Sequence, residues 1–98
     1  MTNADIVTAF EHVADLLEYR GDNVFRVRAY RTAARTIDGL VESLASVRAD
    51  PARSLEDLEG IGSDLAGKIA TLLDTGRLPL LEELEREVPK VAFELMRV

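Results

Sequence analysis

The chain has 98 residues, 47% of them apolar, and a formal charge of −6, proportions that fit one modest soluble core. It contains no cysteine and a single histidine, His12, which excludes a disulfide framework, a thiolate zinc site and a cysteine nucleophile, and leaves almost nothing for a histidine metal site or Ser-His catalysis. Apolar runs are short and no signal-peptide pattern opens the chain, so a cytoplasmic protein without a membrane partner is expected.

Apolar residues recur at three- and four-residue spacings throughout and strict alternation is absent, which predicts an all-α fold, a compact bundle of five to six short helices in one domain over residues 1–98. The first helix, capped by Thr2 or Asn3, runs to about Tyr19 with Ile6, Phe10, Val13 and Leu17 on one stripe, and Gly21 stops it. Asn23 caps a second helix over 24–38, with Tyr30, Ala33, Ala34 and Ile37 inward and Gly39 at its end. A short helix over Val41–Val47 follows, then an exposed loop over Arg48–Arg53 around Asp50-Pro51. In 55–75, Ser54 caps a brief helix over Leu55–Leu58 and Ser63 caps a longer one that Gly76 ends, with Leu65, Ala66, Ile69, Leu72 and Leu73 inward. Pro79 opens a last helix through Leu80, Leu81, Leu84 and Val88, which Pro89 interrupts before Val91, Phe93 and Leu95.

An acidic chain repels phosphate as a whole, yet its charge is uneven. Between Arg20 and Arg35 stand five arginines, Arg20, Arg26, Arg28, Arg31 and Arg35, against Asp22 alone, so this window is +4 and the remainder −10. At 100° per residue Arg28, Arg31 and Arg35 fall on one side of the second helix, opposite its apolar stripe, as a solvated basic face. Arg26 falls within the apolar arc, so it must precede the first full turn or reach around the helix end. The acids Glu82, Glu83, Glu85 and Glu87 read as a solvated face rather than a catalytic pair, and His12 as an edge residue.

The segment LEGIGSDLAGKI, Leu58 to Ile69, sets a glycine-hydrophobe-glycine turn between two helices. Gly60 and Gly62 permit backbone angles closed to other residues and leave no side chain over the main chain, and Ile61 between them can turn inward as a pin. Amides at Gly62 and at the start of the Ser63 helix would then face outward at a positively polarised helix end, a setting that favours phosphate.

This segment resembles the helix-hairpin-helix motif, Leu-Pro-Gly-hydrophobe-Gly followed by Ala-X-Lys-Ile, with Glu59 in place of the proline. The likeness extends on both sides. FEHVADLLEYRGDNVFRVRAYRTAARTI and DTGRLPLLEELEREVPK resemble segments of the amino-terminal domain of family X DNA polymerases, bacterial and archaeal PolX type, which is similar to the small lyase domain of DNA polymerase beta. Glu94 to Val98 looks like the lead-in to a second hairpin of that family, so the chain is expected to be a piece of a longer repair polymerase or a free-standing relative; its 98 residues hold neither a polymerase palm nor a phosphoesterase domain.

The resemblance implies sequence-blind binding of gapped or nicked DNA, in base excision repair. Backbone phosphates would lie on Gly60, Ile61, Gly62 and Ser63, and a 5′-phosphate on Arg26 with Tyr30 beside it. It implies a place for a sodium or potassium ion on the carbonyls of Glu56, Leu58 and Ile61. Lys68 matches the lyase nucleophile, which must be a neutral amine to form a Schiff base with a sugar aldehyde. Asp64 and Glu56 stand where polymerase beta is basic, and Asp64 lies four residues before Lys68, the spacing of a surface ion pair that keeps the amine charged. Two alternatives to plain DNA binding therefore stay open: a 5′-deoxyribose phosphate lyase acting through Lys68, and a helical protein-interaction module that has lost DNA.

Overall fold

The computed structural model describes residues 1–87 and, among them, is all-helical. Five α-helices, α1 (Asn3–Arg20), α2 (Val24–Asp38), α3 (Leu44–Ala49), α4 (Ser63–Thr75) and α5 (Pro79–Glu87), are joined by short turns, with one 3₁₀ turn over Leu55–Asp57 between α3 and α4. The expected features from Val88 onward, Pro89 and the lead-in at Glu94 included, lie outside the described residues.

The ends of α1 and α2 follow their capping chemistry. Thr2 Oγ1 accepts the Asp5 amide at 3.2 Å while the Asp5 carboxylate accepts the Thr2 amide at 2.9 Å, a reciprocal capping box. Gly21 ends α1 at φ 78°, in the left-handed region. Asn23 Oδ1 then accepts the Phe25 amide at 2.7 Å and starts α2.

Both predicted stripes are buried: Ile6, Phe10, Val13 and Leu17 of α1 lie against Tyr30, Ala33, Ala34 and Ile37 of α2. Phe10 and Tyr30 meet edge to face, ring centres 5.4 Å apart at 89°, the arrangement that the aromatic quadrupole prefers. Leu44, Val47, Ile61, Leu65, Ile69, Leu72, Leu78 and Leu84 extend this core beneath the hairpin. Ala66 and Leu73, expected inward, are only half-buried.

The middle of the chain departs from expectation. The third helix begins at Leu44, not Val41, because Ser43 Oγ accepts the Ser46 amide at 3.1 Å and so fixes the start. Val41 stays outside in the preceding turn, wholly exposed. The helix runs on to Ala49, so the open loop shortens to 50–53. Asn3 closes this region: its Nδ2 donates to the Glu42 carbonyl and its Oδ1 accepts the Leu44 amide, each at 2.8 Å.

Candidate nucleic-acid interface

The hairpin turn is set by two glycines with different tasks. Gly60 has φ +76°, and a Cβ there would lie 2.9 Å from Thr32 Cγ2 of α2, so the turn both needs the left-handed region and presses on the basic helix. Gly62 has φ −86° and ψ −174°, extended backbone open to any residue, and a Cβ there would meet nothing within 4 Å. The expectation that both glycines adopt special angles thus holds for Gly60 alone. Gly62 contributes bare access.

The cap of α4 also differs from expectation. Gly62, not Ser63, is the N-cap residue, and no side chain caps this end. Ser63 is the first helical residue, one position too late for its hydroxyl to reach back to the orphan amides. Ile61 is buried, as a pin should be, and its amide donates to the Leu58 carbonyl at 3.1 Å. Among the described residues, the amides of Gly62, Ser63, Asp64 and Leu65 find no protein acceptor. Gly60, Gly62, Ser63 and Asp64 are exposed, so these donors lie at an open helix end.

Of the carbonyls expected to hold an alkali cation, that of Leu58 already accepts from Ile61, while those of Glu56 and Ile61 accept no backbone amide among the described residues. Oxygen donors of this kind suit a hard cation.

Arg28 and Arg35 of α2 are exposed and make no ion pair among the described residues. They lie four positions before and three after Thr32, the residue that Gly60 touches, so they flank the hairpin contact along one helix face. Arg31 does not share their state. Its Nη2 is 3.1 Å from Asp15 Oδ1 and 3.4 Å from Glu18 Oε2 of α1, so it ties α2 to α1. Its charge is engaged within the protein.

Arg26, in the first turn of α2, reaches back to Asp22 at 3.3 Å, and Asp22 is also bound by Arg20 at 2.5 Å and by the Asn23 amide at 2.7 Å. Arg20 hydrogen-bonding, with those further donors, holds the Asp22 carboxyl below its usual range. Arg20 in turn bonds Glu87 of α5 at 2.6 Å, so the junction of α1 and α2 is also tied to α5.

Tyr30 is 2% exposed, and among the described residues its hydroxyl makes no hydrogen bond of acceptable geometry. Burial raises its pKa, against the pull of Lys68 and Arg26 and with the push of Asp64. Residues from two helices, Arg26 of α2 and Asp64 and Lys68 of α4, therefore act on one buried hydroxyl. Lys68 Nζ donates to Asp64 Oδ1 at 2.7 Å, the ion pair expected from spacing. It is not on the outer edge of α4, however: its side chain is only 21% exposed. Burial would lower the Lys68 pKa, but the Asp64 hydrogen bond and Tyr30 outweigh it and the group is held above its usual value. A groove lined by Ser63, Asp64, Gly67, Lys68, Thr71 and Pro79 leads from the open amides past this lysine.

The acids of α5 behave as a solvated face, with Glu82 bound bidentately by Arg77 at 2.7 and 2.9 Å and Glu83, Glu85 and Glu87 exposed. His12 is half-buried on α1. Among the described residues no three His, Cys, Asp or Glu side chains gather as a metal site, and no helix is long and apolar enough to cross a membrane. What composition and spacing did not disclose is the use of Arg31 by α1 and the approach of Tyr30 to Lys68, since both join residues distant in the chain.

A two-helix hairpin with a bare turn, docked on an arginine-bearing helix, defines the class, and the chain belongs to the helix-hairpin-helix domain family, whose match covers residues 1–78. It is similar to the DNA polymerase/3′-5′ exonuclease PolX of Bacillus subtilis (strain 168), with 32% identity over 98 residues, all of this chain. The chain spans 16% of that protein's length. The expected kinship with the amino-terminal helix-hairpin-helix domain of PolX thus holds.

Proposed function

We propose that this chain is a DNA-binding module of a PolX-like repair polymerase that grips gapped or nicked DNA through phosphates alone. The single observation that carries the reading is the set of amides from Gly62 to Leu65, without protein acceptors among the described residues, at a helix end where Gly62 brings no side chain. Backbone phosphates sit there, as anions do at open helix ends, with Arg28 and Arg35 beside the turn. A 5′-phosphate is held by Lys68 in the groove and by Arg26 at the start of α2, with Tyr30 behind them. The carbonyls of Glu56, Leu58 and Ile61 would hold a sodium or potassium ion.

Lys68 serves as a cation rather than as a lyase nucleophile in this reading, because Asp64 and Tyr30 keep its amine charged, and a charged amine cannot attack an aldehyde. Contacts of this kind position DNA without reading bases.

The test is binding of gapped duplex, with and without a 5′-phosphate, over a salt series. Expected are equal affinities for unrelated sequences, a preference for the phosphorylated end, and a log-log salt slope of about −0.9 per phosphate neutralised. A flat salt response, or binding unaltered by Gly62→Val and Arg26→Ala together, overturns the proposal in favour of a protein-interaction role.

A further inference from the structure

The two cations whose fields reach the buried Tyr30 hydroxyl, Arg26 and Lys68, each carry a carboxylate from four residues earlier in the chain, Asp22 on Arg26 and Asp64 on Lys68. The pairs are not equivalent. Asp22 is pinned by Arg20 at 2.5 Å and the Asn23 amide at 2.7 Å, and Arg26 at 3.3 Å is its longest contact. Arg26 can therefore turn to a ligand without freeing the acid. Asp64 has Lys68 as its one side-chain partner among the described residues, at 2.7 Å, and its own side chain is 77% exposed against 21% for the lysine. Packing holds the lysine, and the acid stands at the rim.

Asp64 lies in the first turn of α4, among the amides that lack protein acceptors within the described residues. A carboxylate there is attracted by the positively polarised helix end and by an ammonium group. These are the same two attractions that a phosphate in the groove would use.

We infer that Asp64 is a built-in counter-anion of this site: without DNA it occupies Lys68, and a 5′-terminal phosphate entering beside Tyr30 displaces it toward solvent. The inference rests on the proposed reading of Arg26 and Lys68, near Tyr30, as the seat of that phosphate. Asp64 then sets how tightly a phosphorylated end is held. A terminal phosphate carries roughly −1.5 to −2 near neutral pH, more than an internal diester, so Asp64 opposes the terminal group more strongly.

The experiment compares the wild-type chain with Asp64→Asn on gapped duplex ending in a 5′-phosphate or a 5′-hydroxyl. Removing an acid of this exposure tightens binding of the phosphorylated end by about three- to fivefold and of the hydroxyl end by less than about twofold. Asp64→Glu restores wild-type affinity. Glu83→Gln, which removes one charge from the exposed face of α5, changes both ends alike and by less. An Asp64→Asn variant that binds both ends equally tighter, or the phosphorylated end more weakly, overturns the counter-anion role. A wild-type chain that binds gapped DNA without favouring the 5′-phosphate removes that proposed seat itself, and the inference with it.

Discussion

Gly60 and Gly62, two residues apart, should fail in opposite ways when a methyl group is added. At Gly60 the backbone is left-handed, which costs a residue with a Cβ about 1–2 kcal/mol. The new Cβ would also stand 2.9 Å from Thr32 Cγ2, and moving that side chain off its rotamer costs about 0.5–1.5 kcal/mol more. The stiffer unfolded chain returns about 0.4–1 kcal/mol. Gly60→Ala is therefore expected to lose about 2 kcal/mol, or roughly 8–16 °C in Tm for a domain of this size. Gly62→Ala keeps an allowed backbone and meets no neighbour, so its unfolding free energy stays within about 0.5 kcal/mol of wild type, whereas its methyl intrudes on the approach to the open amides. Urea unfolding followed by helical circular dichroism measures the first effect, and titration of gapped duplex the second. Equal stability of Gly60→Ala and wild type, or an equal loss in both variants, would refute the division of labour between the two glycines.

Tyr30→Phe removes a buried hydroxyl that makes no well-formed hydrogen bond among the described residues, so stability should be unchanged or raised by up to about 1 kcal/mol, while the preference for a 5′-phosphorylated end shrinks in the same binding assay. Arg28→Ala and Arg35→Ala should leave unfolding unaltered and reduce the steepness of the salt slope by about 0.9 each. Arg31→Ala, which breaks the contacts to Asp15 and Glu18, should instead cost up to about 1 kcal/mol of stability and leave that slope as it is. Asp22, Glu42, Asp74 and Glu82 are held below the ordinary carboxylate range by hydrogen bonds from Arg20, Arg53, Arg48 and Arg77. Groups lowered by folding stabilise above their unfolded pKa and lose that contribution as pH falls through the folded value, so urea midpoints should hold from neutrality to about pH 5 and then decline. A midpoint that rises on acidification would contradict these pairs.

Much of this architecture is legible in local chemistry. Thr2, Gly21, Asn23 and Gly76 mark helix ends because capping depends on residues adjacent in the chain, and the stripes of α1 and α2 follow from periodicity alone. The displaced third helix shows where such reading runs out: Val41 and Leu44 fit one apolar pattern equally well, and the hydroxyl of Ser43 decides between them. Ser63 looks like a cap because serine favours that role, yet the extended Gly62 takes the position and leaves the amides bare. The site is less legible than the fold. Its motif lies within 12 contiguous residues, but which arginines remain available depends on partners across helices: Arg31 is claimed by residues 13 and 16 positions away, and Tyr30 meets Lys68 only after α2 and α4 come together.

The side chain of Asn3 donates to one side of a peptide segment and accepts from the other, at Glu42 and Leu44, and so laces the opening turn to the middle of the polypeptide. Neither end of that lacing can loosen alone. Solvent exchange at the Leu44 amide should therefore keep pace with fraying of the first turn, and an aspartate at position 3, able to receive but not to give, would turn one of the two threads into a repulsion.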